Sequence, residues 1–126
     1  RWIHTTITGH SVWCRGGKFS APARAVAFSN RKTIFHEKAS MYGYLRKDSV
    51  LGTPEIFYND LSSKPSMKKT NTECKMVIGN INVTGNIATA CIYVDNFFGS
   101  FRVNDYFHLL KINNEWKIVC KTFTTI

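Results

Sequence analysis

The sequence predicts a small α+β domain from about Thr33 to the C-terminus, an antiparallel sheet curled around a pocket. Three observations carry that expectation. Four strand-length segments follow one another between residues 73 and 123, joined by turns too short for parallel crossovers. Thr53-Pro54-Glu55 is a helix start, with a Thr cap, Pro at the first helical position and an acid in the first turn. Both faces of the second and third strands carry apolar residues, so each face needs a cover.

The elements follow in chain order. Residues 1–30 show neither helical nor strand periodicity, Gly16-Gly17 and Pro22 interrupt them, and only residues 23–28 suit a helix. They are expected to be a poorly structured or aberrant segment, 1–30, ahead of a domain spanning 31–126. A start at Arg1, with no initiator Met and no apolar leader, reads as a fragment without a signal peptide. Residues 32–37 read as the end of a helix, 39–45 as a strand and 50–52 as its short return strand. The helix opened by Thr53 runs through Ile56, Phe57 and Leu61 and stops before Pro65. The four later strands are expected over 73–83, 87–97, 101–112 and 116–123. Thr84-Gly85-Asn86 and Asn113-Asn114 serve as turns, the second tolerant of left-handed backbone.

Composition narrows the function classes. At 126 residues, 44% apolar and 13% aromatic, the chain suits one globular core. No apolar run reaches the ~18 residues that cross a bilayer, so no membrane partner is expected. The net charge of +9 divides as +6 over residues 1–38 and +3 over the rest, which argues against a nucleic-acid partner for the domain. Lys68-Lys69 is a solvated turn doublet. Cys14, Cys74, Cys91 and Cys120 lack the spacing of a metal site, and no metal or cofactor is expected. The sequon at Asn82-Val83-Thr84 carries no weight without a leader, and a cytoplasmic location is expected.

Three stretches resemble one family. Residues 105–123, from Asp105-Tyr106-Phe107-His108 to Val119-Cys120-Lys121-Thr122-Phe123, look like the end of the putative lumazine-binding family. That family lies within the nuclear transport factor 2-like superfamily, which also holds SnoaL-like cyclases and ketosteroid isomerase. Val83-Thr84-Gly85-Asn86-Ile87-Ala88-Thr89-Ala90 resembles its preceding hairpin, and Phe35-His36-Glu37-Lys38-Ala39-Ser40-Met41-Tyr42-Gly43-Tyr44 its helix-to-strand junction. The resemblance covers about residues 33–126 and implies a cone, a curved antiparallel sheet packed on helices. Lys38 stands where the family carries an acid, and the family's long N-terminal closing helix is missing from residues 1–30. A shifted reading frame or chimeric start ahead of about Asn30 would account for that, and a genuinely divergent N-terminus is the alternative.

The resemblance implies a small-molecule binding domain with a hydrophobic pocket; it leaves the ligand unidentified, a flat heterocycle being one candidate. An isomerase- or cyclase-type acid–base enzyme using the same pocket, or a non-catalytic association module, are the alternatives. Catalytic candidates are Asp105, mid-strand between aromatics, and His36 at the junction. Each has a structural reading too: Asp105 bonded to a turn or to Lys121, His36 capping a helix end. His108 has the opposite strand parity from Asp105, so the two do not form a dyad. Tyr44, Tyr106, Phe107 and Trp116 are the ligand-binding candidates, against core packing. Lys117 and Lys121 are expected on one solvent or dimer face. The expected partners are a small molecule and a second copy bound through the sheet.

Overall fold

The computed structural model describes residues 3–7, 10–15, 20–29, 32–55, 74–97 and 101–126. β1 (Ile3–Ile7) and β2 (His10–Arg15) form a hairpin, and α1 (Ala21–Ala27) follows. A 3-10 turn, Lys32–Ile34, leads into β3 (Phe35–Leu45), which pairs with β4 (Asp48–Gly52). β5 (Cys74–Thr84), β6 (Ile87–Phe97), β7 (Phe101–Ile112) and β8 (Glu115–Thr125) form an antiparallel meander. The eight strands make one sheet in the order β1-β2-β5-β6-β7-β8-β3-β4.

The meander lies where the alternation of side chains places it. Gly85 at φ 56° closes the β5–β6 turn, and Asn113 and Asn114 at φ 50° and 65° close β7–β8. Two consecutive left-handed residues match the twist of the flanking strands. Register shifts interrupt the pairing between Gly79 and Asn82, between Val94 and Phe97, and at His108/Leu109. Asn80 and Asn96, at φ 50° and 60°, sit in the first two of these. Such bulges bend strands and increase their twist, which curves the sheet.

One face of the curved sheet carries the core. Val26, Ile92, Phe107, Leu109 and Ile118 are closed to solvent, with Phe35, Met41 and Met76 around them. α1 lies on this face against β5, β6 and β8. Ser20 caps it, its Oγ accepting from Ala23 N at 3.4 Å, and Pro22 stands in the first turn, where no N–H is needed. Its buried side is Pro22, Ala23, Ala25, Val26 and Ala27, small enough for a close approach to the sheet. Phe28 ends it, donating its N–H to Arg24 O at 3.0 Å.

Several expectations are corrected here. Residues 1–30 are not without regular structure: their described residues supply β1, β2 and α1, and α1 joins the core. As expected, no long closing helix stands among the described residues ahead of the 3-10 turn, where the helix is the seven-residue α1. The sheet is mixed rather than antiparallel throughout, because β2 pairs parallel with β5 and β3 parallel with β8. Residues 32–37 do not end a helix. Phe35 already pairs with Ile118 of β8, and Lys117 Nζ donates to Thr33 O at 2.6 Å, fixing the 3-10 turn to the sheet. Of the helix expected after Thr53, Pro54 and Glu55 are helical, and the remainder lies outside the described residues.

Candidate functional site

Among the described residues, one acid and one base, Asp105 and Lys121, are buried on the inner, core-bearing face. Asp105, midway along β7, stands opposite Ile92 of β6 and Phe123 of β8. Lys121 of β8 stands opposite Phe107 of β7 and beside Met41 of β3. The two charged residues are therefore diagonal neighbours on one face, and Lys121 Nζ lies 3.5 Å from Asp105 Oδ2. Their side chains are 6% and 7% exposed, respectively.

The pair is unevenly satisfied. Asp105 Oδ1 is buried and has no hydrogen-bond partner among the described residues. Burial pushes the Asp105 carboxyl above its ordinary value, and the positive charge of Lys121 and its hydrogen bond pull against that rise. The Lys121 ammonium also sits 5.8 Å from the Phe107 ring centroid and 5.6 Å from that of Phe123, within cation–π range. A carboxyl held in this way can accept a hydrogen bond or a proton, and the ammonium beside it can stabilise negative charge.

The influence of Asp105 reaches the other face of the sheet. Cys91 of β6 pairs with Tyr106 and so has the opposite orientation from Asp105. Its thiol is pushed up by burial first and then by the Asp105 charge, against a hydrogen bond with the Gly79 backbone.

Only part of the expected site assembles. Phe107, 1% exposed, is directly beside Lys121. Tyr106 and Tyr44 point to the opposite, outer face, where they are 58% and 55% exposed. Trp116 is half-buried against the core, but pairs with Lys111, roughly 20 Å along β7 from Asp105. His36 lies on β3 next to Phe35, about 17 Å along the sheet from the level of Asp105. It caps no helix, and its Nδ1 accepts a hydrogen bond from Lys38 N at 3.0 Å. An irregularity at His108/Leu109 leaves Val119 unpaired, so Lys121 turns inward while Lys117 is only partly buried. The expected Asp105–Lys121 contact is thus present, but the inward turn of Lys121 depends on that bulge, which has no signature in the sequence.

Among the described residues no group of three or more His, Cys, Asp or Glu is placed to hold a metal ion. Among them, too, no helix is long and apolar enough to cross a membrane.

Comparison with known proteins gives a family and a fold. Residues 27–124 match the family described as "Putative lumazine-binding". An NTF2-like protein of unknown function from Methylobacillus flagellatus is 27% identical, with TM-score 0.68 over 78% of this chain and 75% of that one. Another from Shewanella baltica is 22% identical, with TM-score 0.71 over 84% and 91%. A putative ketosteroid isomerase from Parabacteroides distasonis is 14% identical, with TM-score 0.55 over 75% and 71%. No curated protein matches the sequence. With a family match over most of its length and the fold of these neighbours, this chain belongs to the putative lumazine-binding family and has an NTF2-like fold.

Proposed function

We propose that the protein binds a small flat molecule on the inner face of its sheet, with Asp105 as the polar contact and Phe107 among the apolar ones. The observation that carries this reading is the buried Oδ1 of Asp105, which has no partner among the described residues and stands between Ile92 and Phe123 on the inner face. Leaving a buried acceptor unsatisfied costs about 1–3 kcal/mol, and more for a charged group. A protein whose inner face had only a packing role would be more stable with an apolar residue there. The family description supports a small-molecule ligand. A thermal-shift screen with flat heterocycles, lumazine and flavins included, tests the reading. A ligand at a hundred times its dissociation constant adds about 2.7 kcal/mol of stability. A screen without a shift would leave the alternative of an association module whose inner face is filled by its own side chains.

Acid–base chemistry is the enzymatic form of this proposal. The raised carboxyl of Asp105 favours it, because a general acid or base works best when its proton exchanges near the working pH. Asp105→Asn would abolish turnover of any substrate found by the screen. His36, distant and hydrogen-bonded through Nδ1, has no part in it.

A second reading, self-association through the sheet, rests on a separate observation. Among the described residues nine large apolar side chains are exposed, and seven of them share the outer face: Tyr42, Tyr44, Leu51, Ile87, Tyr93, Tyr106 and Leu110. Tyr106, Thr122, Tyr42 and Leu51 form one continuous row across four strands. Exposed apolar surface gathered in this way favours a protein partner, here a second copy. A reducing, cytoplasmic setting fits Cys91 and Cys120, free thiols among the described residues.

A further inference from the structure

The inner-face pair specifies the ligand edge it would accept, an inference that rests on the binding reading above. Asp105 directs one carboxylate oxygen to Lys121, and the other, closed to water, has no donor among the described residues. An anionic ligand would meet the carboxylate with like charge, and a cationic one would meet the ammonium 3.5 Å away in the same way. The complementary ligand is therefore neutral. It brings one N–H for Oδ1, and beside that N–H a carbonyl whose negative end faces the Lys121 charge. The Phe107 and Phe123 rings, both within 6 Å of the ammonium, favour a flat apolar body.

We infer that the Asp105–Lys121 pair recognises a neutral, planar ring bearing an N–H next to a carbonyl, an imide- or lactam-like edge. The N–H donates to Asp105 Oδ1 and recovers the hydrogen bond that burial denies this atom. A buried polar group built to pair with an N–H discriminates strongly against an analogue that lacks it.

Titration of the full chain with lumazine, whose ring carries such an edge, and with its N,N-dimethyl analogue, which lacks the N–H, tests this. The expected result is that lumazine binds at least about tenfold more tightly than the dimethyl compound. That preference should shrink in Asp105→Asn, whose fold is checked by circular dichroism. If the variant does not fold, the two ligands on the unsubstituted chain decide alone. Equal affinity for both compounds would overturn the inferred edge while leaving the inner face as a binding site. Failure of both to bind would overturn the inferred edge, and failure of the whole heterocycle screen would overturn the binding reading as well.

Discussion

Asp105 and Lys121 face each other at 3.5 Å across two adjacent strands, yet the pair uses one oxygen of the carboxylate and leaves the other alone. Removing two charges from water is expensive, and the mutual attraction of a buried pair repays it only when every remaining polar atom is satisfied. Here one is not. The arrangement is costly as structure, a cost that the proposed recognition of a ligand would offset.

Breaking the pair therefore has a pH signature. In the folded chain Asp105 holds its proton above the ordinary value of 3.8, so its contribution to stability falls as pH rises from that value through the raised one. Lys121 opposes the rise, and Lys121→Met removes the opposition. The variant should lose about 3 kcal/mol near neutral pH, with the deficit shrinking as the solution is acidified. Asp105→Leu combined with Lys121→Met should recover most of the loss. Urea melts across a pH series check both, and a pH-independent deficit would contradict the account.

Cys91 reports the charge of Asp105 from the other side of the sheet. Its thiol is raised partly by that charge, so Asp105→Asn should lower it and speed alkylation of Cys91 at mildly alkaline pH. Peptide-resolved mass spectrometry of iodoacetamide-treated protein measures the rate. An unchanged rate in the variant would mean that Asp105 is not charged in the fold.

Gly43 makes room for Phe123. A Cβ at Gly43 would lie 2.6 Å from Phe123 Cγ and against its backbone oxygen, so the β3–β8 pairing depends on glycine here. Gly43→Ala should destabilise by about 1–3 kcal/mol, the usual cost of overpacking, and displace one wall of the site. Thermal melts with and without a bound heterocycle separate lost stability from lost affinity.

The outer face predicts its own phenotype. Tyr42→Lys with Tyr106→Lys places charge in the centre of the exposed apolar row without touching the inner face. Sedimentation should show the unsubstituted chain as a dimer and the double variant as a monomer that still binds its heterocycle. A clean monomer for the unsubstituted chain at high concentration would remove the self-association reading.

Much of this architecture is legible in the sequence where pairing is local. The meander strands follow from alternation and from Gly85 and Asn113-Asn114, and β6 and β7 have the predicted limits. The N-terminal hairpin is illegible because His4-Thr5-Thr6 and Ser11-Val12 carry no apolar alternation. Its parallel partner β5 lies some sixty residues away, so no short-range pattern reports it. Asp105 stands out as an acid between aromatics, but simple parity puts Lys117 and Lys121 on one face, and the Val119 bulge breaks that parity. Tyr106 was legible as an outer residue, since neighbours on a strand point to opposite faces and Asp105 points in.

The central claim, that the inner face around Asp105 is the binding surface, is tested most directly by amide chemical-shift mapping during titration with a heterocycle that stabilises the protein. The account predicts the largest shifts at Asp105, Phe107, Lys121 and Phe123, and their loss in Asp105→Asn. Shifts centred instead on Tyr42, Tyr44 and Tyr106 of the outer face would contradict it.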